Sequence, residues 1–211
     1  MTDRVTRRLS LPFAIVLTLA GCRDGIAPLD ERTVAGPQAE TVVDWPMPQH
    51  MLQQSPTAPA LETYQLSFWV RHDRETTVAV NYRSGQPFLR FHIPKFGLMR
   101  RPDGTRVWGK DSLLITATLD TVNLAVQFQP SGVQFSTVLA PQLVLYYENA
   151  NPDLNRDGVV DATDQALEQQ LAIWGQTART QGWFHVASRN NSTQQYVAAT
   201  LYHFSQYAIC W

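Results

Sequence analysis

Charge is scarce and evenly split in this 211-residue chain, with 17 basic groups against 18 acidic ones. A polybasic surface has too little material to form, so no nucleic-acid partner is expected. Cysteine is scarcer still. Cys22 and Cys210 are the only two, which excludes the disulfide framework that holds many small secreted domains together. The five histidines, His50, His72, His92, His185 and His203, fall at no spacing that suits a transition metal. The patterns GxSxG and GxGxxG and the P-loop are missing from the sequence too, so neither a nucleophile elbow nor a phosphate cradle is expected, and no enzyme is inferred. Core-forming material, by contrast, is plentiful. Hydrophobic residues make up 44% of the chain, six of them Trp, seven Tyr and nine Phe. That is far more than a disordered chain carries, and the length allows one domain with tails.

Long apolar runs are also few. The longest, Leu11 to Ala20, rises only about 15 Å as a helix, half the thickness of a bilayer's hydrocarbon core. It follows a basic segment with Arg4, Arg7 and Arg8, and together residues 1–21 read as a cleavable secretory signal. The end of that segment, Leu19-Ala20-Gly21-Cys22, resembles the lipobox of bacterial lipoproteins. The resemblance implies that Cys22 is acylated and becomes the mature N-terminus. Two or three acyl chains on one Cys hold a protein stably on a membrane, where one chain is marginal. Arg23 stands where Asp would favour inner-membrane retention, so the expected location is the cell envelope, anchored to the outer membrane. Cys210 then lacks an intrachain partner and is expected to be a buried thiol acting as a small hydrophobe.

Residues 22–62 contain Pro28, Pro37, Pro46, Pro48, Pro56 and Pro59 with little periodicity, the composition of a tether. Within it Val42 to Trp45 reads as solvated linker, with a short docking element as the alternative. From residue 63 to 211 the pattern is short β-type runs separated by turns. Strands are expected near 64–72, 76–82, 88–93, 112–119, 123–129, 142–147, 172–174, 182–187, 195–201 and 204–209. Alternation is clear where Leu66, Phe68 and Val70 interleave with Gln65, Ser67 and Trp69. Turns are expected at Arg83-Ser84-Gly85, Pro102-Asp103-Gly104, Pro130-Ser131-Gly132 and Arg189 to Ser192. Many short, evenly spaced strands argue an all-β fold, an antiparallel β-sandwich.

One insertion interrupts the strands, near residues 149–171. Its residues 153–164 fit a twelve-residue calcium loop position by position. Asp153, Asn155 and Asp157 supply oxygens at positions 1, 3 and 5, Gly158 allows the sharp turn at 6, and Val159 offers its carbonyl at 7. Asp161 stands at 9 and Asp164 at 12, while Val160 at 8 is expected to tie the loop to its surroundings. Hard oxygen donors without His or Cys select Ca²⁺ over zinc or copper. The closing Asp, in place of the commoner Glu, resembles the dockerin-type loop, which is followed but not preceded by a helix. A helix is accordingly expected over 163–171. A dockerin needs two such loops and this chain has one, so cohesin is not an expected partner. A lone site with a short closing carboxylate should bind at about 10⁻⁴–10⁻³ M.

Three further stretches carry a family resemblance: Leu201 to Ile209, Phe128 to Phe135 with its aromatic-x-Pro-x-Gly turn, and Phe91-His92-Ile93-Pro94. Together they resemble the zona-occludens/netrin-receptor/ankyrin β-sandwich family and its bacterial lipoprotein relatives, over roughly residues 88–211. That likeness implies a possible self-cleavage: Ser205 attacking the Phe204 carbonyl with help from His203. The preferred reading of His203-Phe204-Ser205 is a plain final strand, with Phe204 in the core and Ser205 facing water. Trp69, Trp108, Trp174 and Trp183 allow a sugar-stacking platform, but aromatics on sandwich strands more often fill the core. The expected role is therefore binding or architectural, with a protein or glycan partner that the sequence leaves unnamed.

Overall fold

The computed structural model describes the backbone of Val42–Val43 and residues 50–177 and 182–211. The chain divides into a unit Met1–Gly36 and a unit Pro37–Trp211, and only the second is described below. The expected signal segment, the acylated Cys22 and the first part of the tether lie outside the described residues.

In chain order the elements are β1 (Val42–Val43), β2 (Gln65–Arg71), β3 (Thr76–Asn81), β4 (Pro87–Ile93), β5 (Leu98–Arg100), β6 (Ser112–Asp120), β7 (Ala125–Gln129), β8 (Gln134–Phe135) and β9 (Gln142–Tyr146). After β9 come α1 (Ala162–Glu168), β10 (Ala172–Gln176), β11 (Trp183–His185), β12 (Ser188–Asn191), β13 (Tyr196–Thr200) and β14 (Gln206–Cys210). One sheet has the order β1-β11-β10-β14-β7-β6-β2, the second β12-β13-β9-β4-β3, and a small third pairs β5 with β8. Every strand pairing is antiparallel, and the fold is an all-β sandwich.

Alternation decides which face of each strand is buried. Along β2, Leu66, Phe68 and Val70 turn inward while Gln65, Ser67 and Trp69 stay exposed. The inner faces meet at an aromatic cluster: the Phe91 ring of β4 lies 4.8 Å from Phe128 of β7, and Phe204 stacks on Phe128 at 4.8 Å. Phe135 closes the cluster edge-on to Phe204 at 4.8 Å. Burying each such ring contributes about 1.5–3 kcal/mol. Gly175, on the inward face of β10, leaves room for Phe184 of β11: a Cβ there would stand 2.5 Å from that ring.

The domain begins earlier than proline content predicts. Met51, Leu52 and Leu61 are buried, although they fall in the stretch read as tether. The Leu52 N–H donates to the Ile209 carbonyl (2.9 Å) and Ser55 to Asn149 (2.9 Å), so residues 51–55 are strapped onto the sandwich. Val42–Val43, read as linker, instead pairs with Trp183 and Phe184. Residues 189–191, read as a turn, form β12 at a sheet edge, and the chain reverses after them. The last strand starts at Gln206, two residues later than expected.

Candidate metal loop and its surroundings

The expected order of strand, loop and short helix is what the chain adopts between β9 and β10. Since β9 belongs to the five-stranded sheet and β10 to the seven-stranded one, this connection crosses from one sheet to the other. The 51–55 strap pins its start: Asn151 N–H donates to the Gln53 carbonyl at 2.7 Å.

Within the loop, the first three oxygen-bearing side chains fold back on the backbone. Asp153 accepts from Asp157 N–H at Oδ1 (3.1 Å) and from Gly158 N–H at Oδ2 (2.9 Å). Asn155 Oδ1 accepts from the same Asp157 N–H at 3.0 Å. Asp157 takes the Val159 N–H at Oδ1 (2.9 Å) and the Asn155 amide at Oδ2 (2.8 Å). Such wrapping needs left-handed backbone, which Gly158 supplies at φ 88° and Arg156 at φ 63°. The sequence therefore brings Asp153, Asn155 and Asp157 into one hydrogen-bonded group.

Asp161 and Asp164 serve α1. Asp161 caps the helix, its side chain accepting from Thr163 N–H at 2.7 Å. Asp164, 2% exposed, completes the capping box at Oδ2 with the Asp161 N–H (2.9 Å). Its Oδ1 reaches back to Leu154 N–H (2.7 Å) and Asn155 N–H (3.2 Å). These donors, the Asp161 N–H foremost, hold the Asp164 carboxyl below its ordinary pKa of 3.8. Asp164 thus clasps the end of the loop to its beginning. The apolar anchor is Leu154, buried in the core, and not Val160, which is 59% exposed. Val159, whose carbonyl is the expected seventh-position donor, is exposed.

The donor set fits a hard divalent cation: four carboxylates, one amide oxygen and a backbone carbonyl, with no nitrogen or sulfur ligand. Among the described residues no Lys or Arg forms an ion pair with the four loop carboxylates. Arg156, inside the loop, sends Nη2 to the Met51 carbonyl at 3.1 Å. The carboxylates here are engaged by loop N–H groups, and among the described residues no three His, Cys, Asp or Glu side chains converge as a ligand cluster.

Beside the loop lies a cleft of about 350 Å³, lined among others by Leu52, Tyr147, Asn149, Asp164, Glu168 and Leu171. The Tyr147 hydroxyl donates to Asn190 Oδ1 (2.9 Å) and lies 3.3 Å from Glu168 Oε1. Burial, with the Glu168 charge, pushes the Tyr147 phenol well above its ordinary value. The Asn190 amide donates to the Glu168 carbonyl at 2.6 Å and so satisfies the last turn of α1. Sequence reasoning missed this network because Asn190 sits in a strand with no apolar residue.

Elsewhere, Phe204 is fully buried as expected, but Ser205 is buried too, at 2% exposure, and does not face water. The Ser205 hydroxyl donates to the Gln176 carbonyl, while the Phe204 carbonyl accepts from Gly132 N–H at 3.1 Å. Trp174 and Trp183 are buried, whereas Trp69 and Trp108 are largely exposed. Cys210 is a buried free thiol, as expected, and burial pushes its pKa up. Among the described residues no helix is long and apolar enough to cross a membrane. No known family matches this sequence, no curated protein matches it, and no solved structure matches its fold.

Proposed function

We propose that the chain is an extracytoplasmic lipoprotein, anchored through acyl chains on Cys22, whose β-sandwich holds one Ca²⁺ in the 153–164 loop and serves a binding or architectural role. The observation that carries this reading is the wrapping of Asp153, Asn155 and Asp157 around a left-handed Gly158, with the loop spanning the crossover between the two sheets. Asp153, Asn155, Asp157, Val159, Asp161 and Asp164 would hold the ion, which supplies positive charge to a cluster that otherwise repels itself. Its role is to fix the crossover, so that loss of the ion loosens the 147–171 connection before it disturbs the paired strands. The lipid half of the reading rests on the basic segment, the apolar run and the Leu19-to-Cys22 motif.

Phase partitioning of the full chain expressed in a bacterium tests the anchor. The wild type is expected in the detergent phase with fatty acid on Cys22. The Cys22→Ser variant is expected to carry no fatty acid. A wild type without fatty acid overturns the anchor.

A further inference from the structure

The outer face of the seven-stranded sheet carries an uncharged hydrogen-bonding surface with no part in the metal loop. Register places Gln65, Thr118, Gln127, Gln206 and Gln176 in one row across β2, β6, β7, β14 and β10. One step along the strands, Ser67, Thr116 and Gln129 form a second row. A further step brings Trp69, 62% exposed, opposite Leu114. With strands about 4.8 Å apart and same-face neighbours roughly 6.7 Å apart along a strand, the first row spans about 19 Å and Trp69 stands about 13 Å from it.

The face is not flat. A cleft of about 240 Å³ opens between Gln127, Gln129, Gln176 and Gln206, and among the described residues none of the side chains lining it is charged. Two charges that border the face among the described residues are engaged by near neighbours. Asp120 accepts the N–H groups of Val122 and Asn123 in its own turn, and Arg71 pairs with Asp73 at 2.7 Å.

These properties select among ligands. Primary amides donate and accept through the same side chain, as sugar hydroxyls do. Among the described residues a charged polymer finds no counter-charge in the cleft, and an apolar peptide side chain finds mostly amide and hydroxyl groups there. Trp69 adds an exposed aromatic plane against which the C–H face of a sugar ring can pack. We propose that this face binds a neutral oligosaccharide laid across the strands, with one sugar unit in the glutamine-lined cleft and another against Trp69. The proposal goes beyond calcium binding and does not depend on it.

Affinity electrophoresis of the full chain, in a polyoxyethylene detergent, tests this. The gels contain β-glucan, xylan, galactomannan or dextran as neutral polymers, or alginate as an anionic one. At least one neutral polymer is expected to retard the protein, with no effect of alginate and no effect of EDTA. The double variant Gln127→Ala/Gln206→Ala should weaken retardation about tenfold through lost hydrogen bonds. Trp69→Ala should weaken it about fivefold through lost stacking. Arg90→Ala, on the other sheet, should leave it unchanged. The Trp69 side chain is exposed, so that variant decides the matter even where the double variant melts early. Retardation by none of the four neutral polymers overturns the proposal, as does retardation by alginate alone or equal retardation of wild type and Trp69→Ala. Loss of retardation with EDTA would transfer the binding to the metal loop and overturn the face.

Discussion

Tyr82 is fully buried, edge-on to Phe88 at 5.7 Å between ring centres, yet among the described residues its hydroxyl has no partner. Burial alone pushes its pKa up to about 12. An unsatisfied buried hydroxyl costs about 1–3 kcal/mol, so Tyr82→Phe should leave the melting temperature unchanged or raise it by a few degrees. A fall of several degrees in a thermal melt would show that the hydroxyl is bonded. Gly175 makes the opposite case. Its Cβ would meet the Phe184 ring at 2.5 Å and Tyr207 at 3.1 Å, and Gly175→Ala should cost about 1–3 kcal/mol by overpacking, measured by denaturant midpoint. Neither position could be read from the sequence. A glycine in a strand run and a tyrosine at a strand end are ordinary, and the fault or the fit appears only when neighbouring strands close on them.

At the scale of elements, the 153–164 loop and α1 depend on one carboxylate. Asp164 takes three N–H groups, so Asp164→Ala in metal-free protein should lower the melting temperature by about 5–10 °C, through two lost loop contacts and half of a capping box. Acid should do part of the same. Asp164, Asp73 beside Arg71, and Asp103 under the Thr105 N–H all titrate below the ordinary 3.8 in the fold. Their folded pKa is depressed, so their stabilisation is fully present above that value and is lost as pH falls through the folded values beneath it. A melting series should therefore stay level down to about pH 4 and drop below it, less steeply in Asp164→Asn. The spacing of Asp153, Asn155 and Asp157 was legible because loop oxygens must recur at alternate positions to face one point. The capping role of Asp161 and Asp164 was present as a capping-box spacing, but the expected ligand pattern of the same residues masked it. Strands with apolar alternation, such as β2 and β6, were legible for the same reason of period. β12 was not, because Ser188 to Asn191 offers no apolar side chain and its strand conformation comes from pairing with β13.

At the scale of the whole molecule, the even spacing of short strand-like runs and turns predicted the all-β sandwich, while tertiary packing set where it begins. Pro56 and Pro59 made residues 50–62 resemble the tether before them, yet Leu52 and Leu61 supply core and the 51–55 strap fastens the loop. The same packing bears on the C-terminal end. With Ser205 buried and its hydroxyl given to Gln176, the purified chain should keep Ser205 to Trp211 after denaturation, as intact mass will show; loss of that peptide would establish self-cleavage at Phe204. The proposed role of the loop turns on the ion. Calcium titration of the full chain by calorimetry, paired with thermal melts, should give one site per chain with Kd of about 10⁻⁴–10⁻³ M. At 10 mM Ca²⁺ the gain is about 1.4–2.7 kcal/mol, a rise of several degrees, which Asp153→Ala/Asp157→Ala should abolish. A wild type that gives no heat and no shift in melting, or a variant that matches the wild type, would contradict calcium binding by the 153–164 loop.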